Sequence, residues 1–182
     1  NTKGDYNTAL GNDALSANTT ADKNTALGRL SLTANTTGAT NTGVGADSLR
    51  YNTTGANNVA VGFNSLHRTV SANYNTAVGK EALYTLNGGG ENTAIGGQAL
   101  YSSTNGSHNT AVGYYSLASA SSGNNHTAFG QQALEDCTTG VNNQGIGRDA
   151  GKSITTGSYN VSLGTAAGGS TTTGSYNICV GY

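Results

Sequence analysis

Tyr74 to Leu83 reads YNTAVGKEAL, and its central glycine, Gly79, decides how the rest of the chain is read. Counting in steps of 17 from Gly11 reaches Gly28, Gly45, Gly62, Gly79, Gly96, Gly113, Gly130, Gly147, Gly164 and Gly181 without a slip. Only 28 of the 182 residues are glycine, so an unbroken series at one spacing is not a product of composition. A fixed period of this kind marks a stacked repeat architecture.

Around each anchor glycine the unit is G-x-x-N-T-A-V-G-x-x-A-L, followed by a polar connection rich in Thr, Ser and Asn. Seventeen residues are too few for two helices and their connections, and Gly, Thr and Asn disfavour helix throughout. The unit is therefore read as short strands joined by tight corners: an all-β, parallel β-solenoid or β-roll of eleven 17-residue rungs, expected within a homotrimeric fibre. At about 4.8 Å per rung the rod is roughly 50 Å long.

The residue before the anchor is apolar in every rung: Leu10, Leu27, Val44, Val61, Val78, Ile95, Val112, Phe129, Ile146, Leu163 and Val180. It is read as the core position. The period of two in a strand then turns Thr8, Thr25, Thr42, Thr76, Thr93, Thr110 and Thr127 inward as well, with Val59, Gln144, Val161 and Ile178 in the other rungs. The small residue between them faces the other way, against a closely packed neighbour. A second ladder runs Leu15, Leu32, Leu49, Leu66, Leu83, Leu100, Leu117 and Leu134, and stops at Gly151 and Gly168. Residues 1–182 are thus one repeat domain, read as a segment of a longer chain, with Leu-ladder rungs over 1–142 and variant rungs over 143–182. In the variant rungs Val161 and Ile178 are expected to return the lost apolar volume.

Glycine recurs seven residues before most anchors, as Gly38, Gly89 and Gly106 for example, with Ala21 and Ala72 as exceptions. That substitution pattern points to close backbone approach at a corner, or to a backbone conformation that alanine can just reach. Four residues before the anchor stand Asn7, Asn24, Asn41, Asn58, Asn75, Asn92, Asn109, Asn143, Asn160 and Asn177, with His126 in one rung. Stacked amides that bond along the axis explain this row better than a sugar site repeated on every rung.

The units NTAVGKEAL (75–83), NTAIGGQAL (92–100) and NTAVGYYSL (109–117), with TTGSYNVSLGTAAG (155–168) and TTGSYNICVGY (172–182), resemble repeats of bacteriophage tail-fibre and tail-spike shafts. They are similar, less closely, to the shorter repeats in the heads of trimeric autotransporter adhesins. The resemblance spans essentially the whole chain. It implies a homotrimeric, non-enzymatic, structural and adhesive fibre segment outside the cell, on a virion tail or a cell surface, with a receptor-binding tip elsewhere.

Composition and motifs add exclusions. A net charge of −1 removes the electrostatic basis for non-specific nucleic-acid or anionic-membrane binding, and no apolar run is long enough to insert in a membrane. His67, His108 and His126 occupy three different phases of the repeat without carboxylates or cysteines at ligand spacing, so neither metal nor cofactor is expected. Gly151-Lys152-Ser153 lacks the first glycine of a phosphate loop, because Ile146 stands there. Cys137 and Cys179 differ in phase and are read as buried free thiols. Asn18, Asn35 and Asn52 begin formal glycosylation triplets in an Asn/Thr-rich chain.

Two further expectations concern surfaces. Tyr84, Tyr101, Tyr114 and Tyr115 are candidate glycan contacts on the outside, with a host glycan or protein receptor as partner. The Thr row raises ice binding as an alternative, which the inward direction assigned to that row opposes. Lateral or end-to-end self-association, as in a bacterial adhesin or filament, is the remaining alternative.

Overall fold

A computed structural model describes residues 3–182. Eleven three-residue strands, from β1 (Thr8–Leu10) to β11 (Ile178–Val180), form one parallel sheet in chain order. Each strand pairs with the next exactly one repeat away: Thr76 with Thr93, Ala77 with Ala94, Val78 with Ile95. The pairing runs unbroken past residue 143, where Thr127 meets Gln144. The fold is an all-β, parallel β-solenoid without helix among the described residues.

Each rung has only one strand, and its remaining residues turn through a series of left-handed positions. In the central rung these are Tyr74 (φ 58°), Glu81 (φ 58°) and Leu83 (φ 50°). Backbone N–H groups at these turns bond to the neighbouring rungs, as in Leu83 N–H to the Ala99 carbonyl and Glu81 N–H to the Phe63 carbonyl. The Thr-rich connection adds hydroxyl bonds of the same kind, Thr36 to the Thr53 carbonyl at 3.0 Å and Thr138 to the Thr155 carbonyl at 3.1 Å. A rung without its neighbours leaves these groups unpaired, which ties stability to stacking.

The anchor glycines are obligatory. Gly79 has φ 135°, and a Cβ there would lie 2.5 Å from the carbonyl oxygen of Gly96 directly along the axis. At the other corner Gly89 has no left-handed φ, but Gly106 stacks against it closely. Close approach, rather than an unusual dihedral, is what favours glycine there, and the absence of a left-handed φ is what admits Ala21 and Ala72.

The direction of the strand faces is the reverse of the sequence expectation. Ala26, Ala60, Ala77, Ala94, Ala111 and Ala128 are fully buried, whereas Leu10, Leu27, Ile95, Phe129, Ile146 and Leu163 are exposed. The interior is already filled by the Leu ladder, with Leu32, Leu49, Leu66, Leu83, Leu100, Leu117 and Leu134 all fully buried. Only a small side chain fits opposite: a Cβ added at Gly145 would meet Leu134 Cγ at 2.9 Å. Hence Val78 and Ile95 point out, and Thr76 and Thr93 with them.

The variant rungs are corrected in the same way. Val161 and Ile178 face outward and return nothing to the core, Ile178 being 77% exposed. Ile154, fully buried, stands beside the vacated position instead, with its Cδ1 3.1 Å from where a Cβ of Gly151 would be. Gly151 (φ 61°) and Gly168 (φ 71°) keep the left-handed turn that leucine makes in the other rungs. They lose burial and relieve backbone strain at once.

Candidate functional surface

Inside the coil the asparagine row is structural. Asn24, Asn41, Asn58, Asn75, Asn92, Asn109, Asn143 and Asn160 are buried. Each Oδ1 accepts the backbone N–H of the next residue in the row, as Asn75 Oδ1 does from Asn92 at 3.1 Å. Nδ2 reaches a corner carbonyl in all of them but Asn75, as Asn92 does to Gly106 at 2.8 Å, whereas Asn75 turns to the Asn73 carbonyl at 3.0 Å. His126 imitates both bonds: Nδ1 accepts from the Asn143 N–H at 3.2 Å, and Nε2 faces the Gly140 carbonyl at 2.8 Å. Burial holds its pKa below the ordinary 6.5, against the opposing pull of that carbonyl.

A second amide run, Asn18, Asn35 and Asn52, was legible only as glycosylation triplets. Asn52 Nδ2 donates to Asn35 Oδ1 at 2.8 Å and to the Gly55 carbonyl at 2.9 Å. All three side chains are buried, so no glycosyl transfer reaches them in the folded chain.

The structure also brings together groups that the sequence keeps apart. Cys137 Sγ lies 3.8 Å from His126 Nε2 and 3.7 Å from Asn143 Nδ2. Cysteine, histidine and asparagine in contact suggest a nucleophile, but all three are buried. Burial pushes the Cys137 thiol up to about 11, so it stays protonated at neutral pH. Cys179 is free and half-buried rather than buried. Among the described residues no group of three His, Cys, Asp or Glu is placed to hold a metal ion.

On the outside, the four tyrosines separate into two groups. Tyr84 and Tyr101 stack at 5.2 Å and 7°, and His67 continues the column against Tyr84 at 5.1 Å and 14°. Tyr84 is thus covered on both ring faces and Tyr101 on one, which reduces the ring surface open to a sugar. Tyr114 and Tyr115 form a separate edge-to-face pair at 4.5 Å. The charges beside these rungs are largely paired: Asp47, buried, receives Arg29 at 2.7 Å and Arg50 at 2.8 Å.

The outward face of the sheet is a regular surface that runs through all eleven strands. Its two rows are the Thr row and the apolar row that ends at Val180, and no strand carries a charged residue. Two residues of strand across by eleven rungs make a strip of roughly 300 Å². Only the apolar row of that strip is a hydrophobic surface, and it is no larger than the patches ordinary monomers expose. Just past the anchors, Phe63 and Tyr114 are also exposed. No known family matches the chain, and neither does any curated protein or solved structure.

Proposed function

We propose that the chain is a structural, self-associating segment of an extracellular fibre, three copies to a shaft, in the manner of a phage tail fibre that presents a receptor-binding tip. The observation that carries this reading is the uncharged ladder of Leu27, Val44, Val61, Val78, Ile95 and Val112 on the outside of the sheet. A partner that covers such a ladder along its length must present the same rung spacing, and another copy of the chain does. The strip alone falls short of the roughly 800 Å² per partner of a standard interface. Residues beside it, Phe63 and Tyr114 among them, complete the contact. A bacterial surface adhesin or filament would use the same face in the same way. No chemistry enters this role.

Cysteine cross-linking tests it. Val78→Cys is expected to give disulfide-linked chains under mild oxidation, and Asn87→Cys, on the exposed connection, is not. Equal cross-linking at both positions would contradict the assignment of the face.

A second reading is favoured by one observation: Thr25, Thr42, Thr76, Thr93, Thr110 and Thr127 face outward, in register along a parallel sheet. A regular outward Thr row is the geometry an ice-binding solenoid uses. Its interruption by Val59, Gln144, Val161 and Ile178, and the varied bulk of the apolar row, favour the protein interface. Ice shaping by the isolated chain would reverse that order.

A further inference from the structure

We infer that the groove beside Arg68 is a binding site for an acidic saccharide, a sugar unit whose carboxylate pairs with this guanidinium. The groove, of about 360 Å³, is lined by Arg68, Val70, Thr85, Asn87, Thr104 and Asn105. That is the lower range of small-ligand sites and fits one or two sugar rings. It lies on the connection residues rather than on the sheet, so it stands whether or not the chains assemble through the sheet.

Arg68 is the one charged residue of the lining. Arg29 and Arg50 share Asp47, and Arg148 lies 3.2 Å from Asp149. Arg68 has no carboxylate partner among the described residues. Its guanidinium instead sits beside the Tyr84 ring, 5.6 Å from the centroid, a contact that leaves its charge unpaired. The six lining residues include no acidic side chain.

The rest of the lining supplies what a sugar needs. Thr85 Oγ1 donates to the Tyr101 carbonyl at 2.8 Å, and Thr104 Oγ1 to the Ser121 carbonyl at 2.8 Å. Both hydroxyl protons are committed, so toward a sugar hydroxyl these oxygens can act only as acceptors. The side-chain amides of Asn87 and Asn105 are exposed and make no hydrogen bond among the described residues, offering donors and acceptors together. Val70, 40% exposed, gives the C–H face of a ring an apolar contact. A single guanidinium among amides, hydroxyls and an apolar patch suits a sugar carboxylate better than a phosphate, which binds where several cations or backbone N–H groups converge.

The test uses the full 182-residue chain and three probes: trigalacturonate, the neutral trisaccharide maltotriose, and inorganic phosphate. Titration followed by amide NMR is expected to show trigalacturonate binding about tenfold more tightly than maltotriose, the worth of one charge-assisted hydrogen bond. Shifts should centre on residues 68–70, 85–87 and 104–105. Arg68→Gln should bring the acidic probe to parity with the neutral one. Asn87→Ala, which removes an exposed amide, should weaken both. Equal binding of the two trisaccharides to the unaltered chain, a preference that survives Arg68→Gln, or displacement of trigalacturonate by equimolar phosphate would each overturn the inference.

Discussion

The backbone N–H of Asn143 donates to Nδ1 of His126 at 3.2 Å, the bond that an asparagine Oδ1 accepts elsewhere in the row. With Nε2 giving its proton to the Gly140 carbonyl, the ring is neutral and Nδ1 has no room for a proton. Because burial lowers the folded-state pKa below 6.5, the unfolded chain binds more protons on acidification. Stability is therefore full above about 6.5, starts to fall as pH drops through the unfolded value, and keeps falling to the lowered folded one. Urea melts between pH 7.5 and 5 should show this loss. His126→Asn should reduce it, and His67→Gln, at the other histidine whose pKa burial lowers, should reduce it further.

Gly79→Ala tests the stacked glycines. The Cβ would meet the Gly96 carbonyl oxygen at 2.5 Å in a conformation with φ 135°, and a cost of about 3 kcal/mol or more is expected. Gly97→Ala is the control. Its Cβ meets a Tyr114 ring carbon at 3.3 Å with no left-handed φ, so a change within about 1 kcal/mol is expected by denaturant melts.

The reversal of the strand faces has its own test. Leu100→Ala empties a fully buried site and should cost about 2–5 kcal/mol. Ile95→Ala, at a position 41% exposed, should cost the isolated coil under about 1 kcal/mol while weakening association between chains. The opposite ranking in thermal melts of dilute protein would restore Ile95 to the core.

The two thiols should differ in reactivity. Cys137 is buried, with its pKa pushed to about 11, so a thiol-specific reagent at neutral pH should leave it untouched until the coil unfolds. Cys179, half-buried near the last strand, should react first. Mass spectrometry of the labelled peptides reads the order directly.

Period and register were legible because Gly79 and its counterparts cannot be replaced, and a residue that cannot change keeps time along the chain. The asparagine row was legible because each member must both accept and donate, as Asn75 does, a demand that only His126 meets in another way. Which strand face points inward was not. Alternation separates Thr76 and Val78 from Ala77, but it does not say which side is enclosed, and bulk was a misleading guide. The volume inside was already taken by Leu83, whose left-handed turn no pattern of strand residues reveals. The His126–Cys137 contact was hidden as well, because the two lie eleven residues apart in different phases and meet only through the closure of the coil.

Sedimentation equilibrium of the 182-residue chain measures most directly whether other copies cover the outward row that includes Val78 and Ile95. The expected mass is three times the 18.2 kDa of one chain, falling toward a single chain when Ile95 is replaced by lysine. A folded species of 18.2 kDa at every concentration would contradict it.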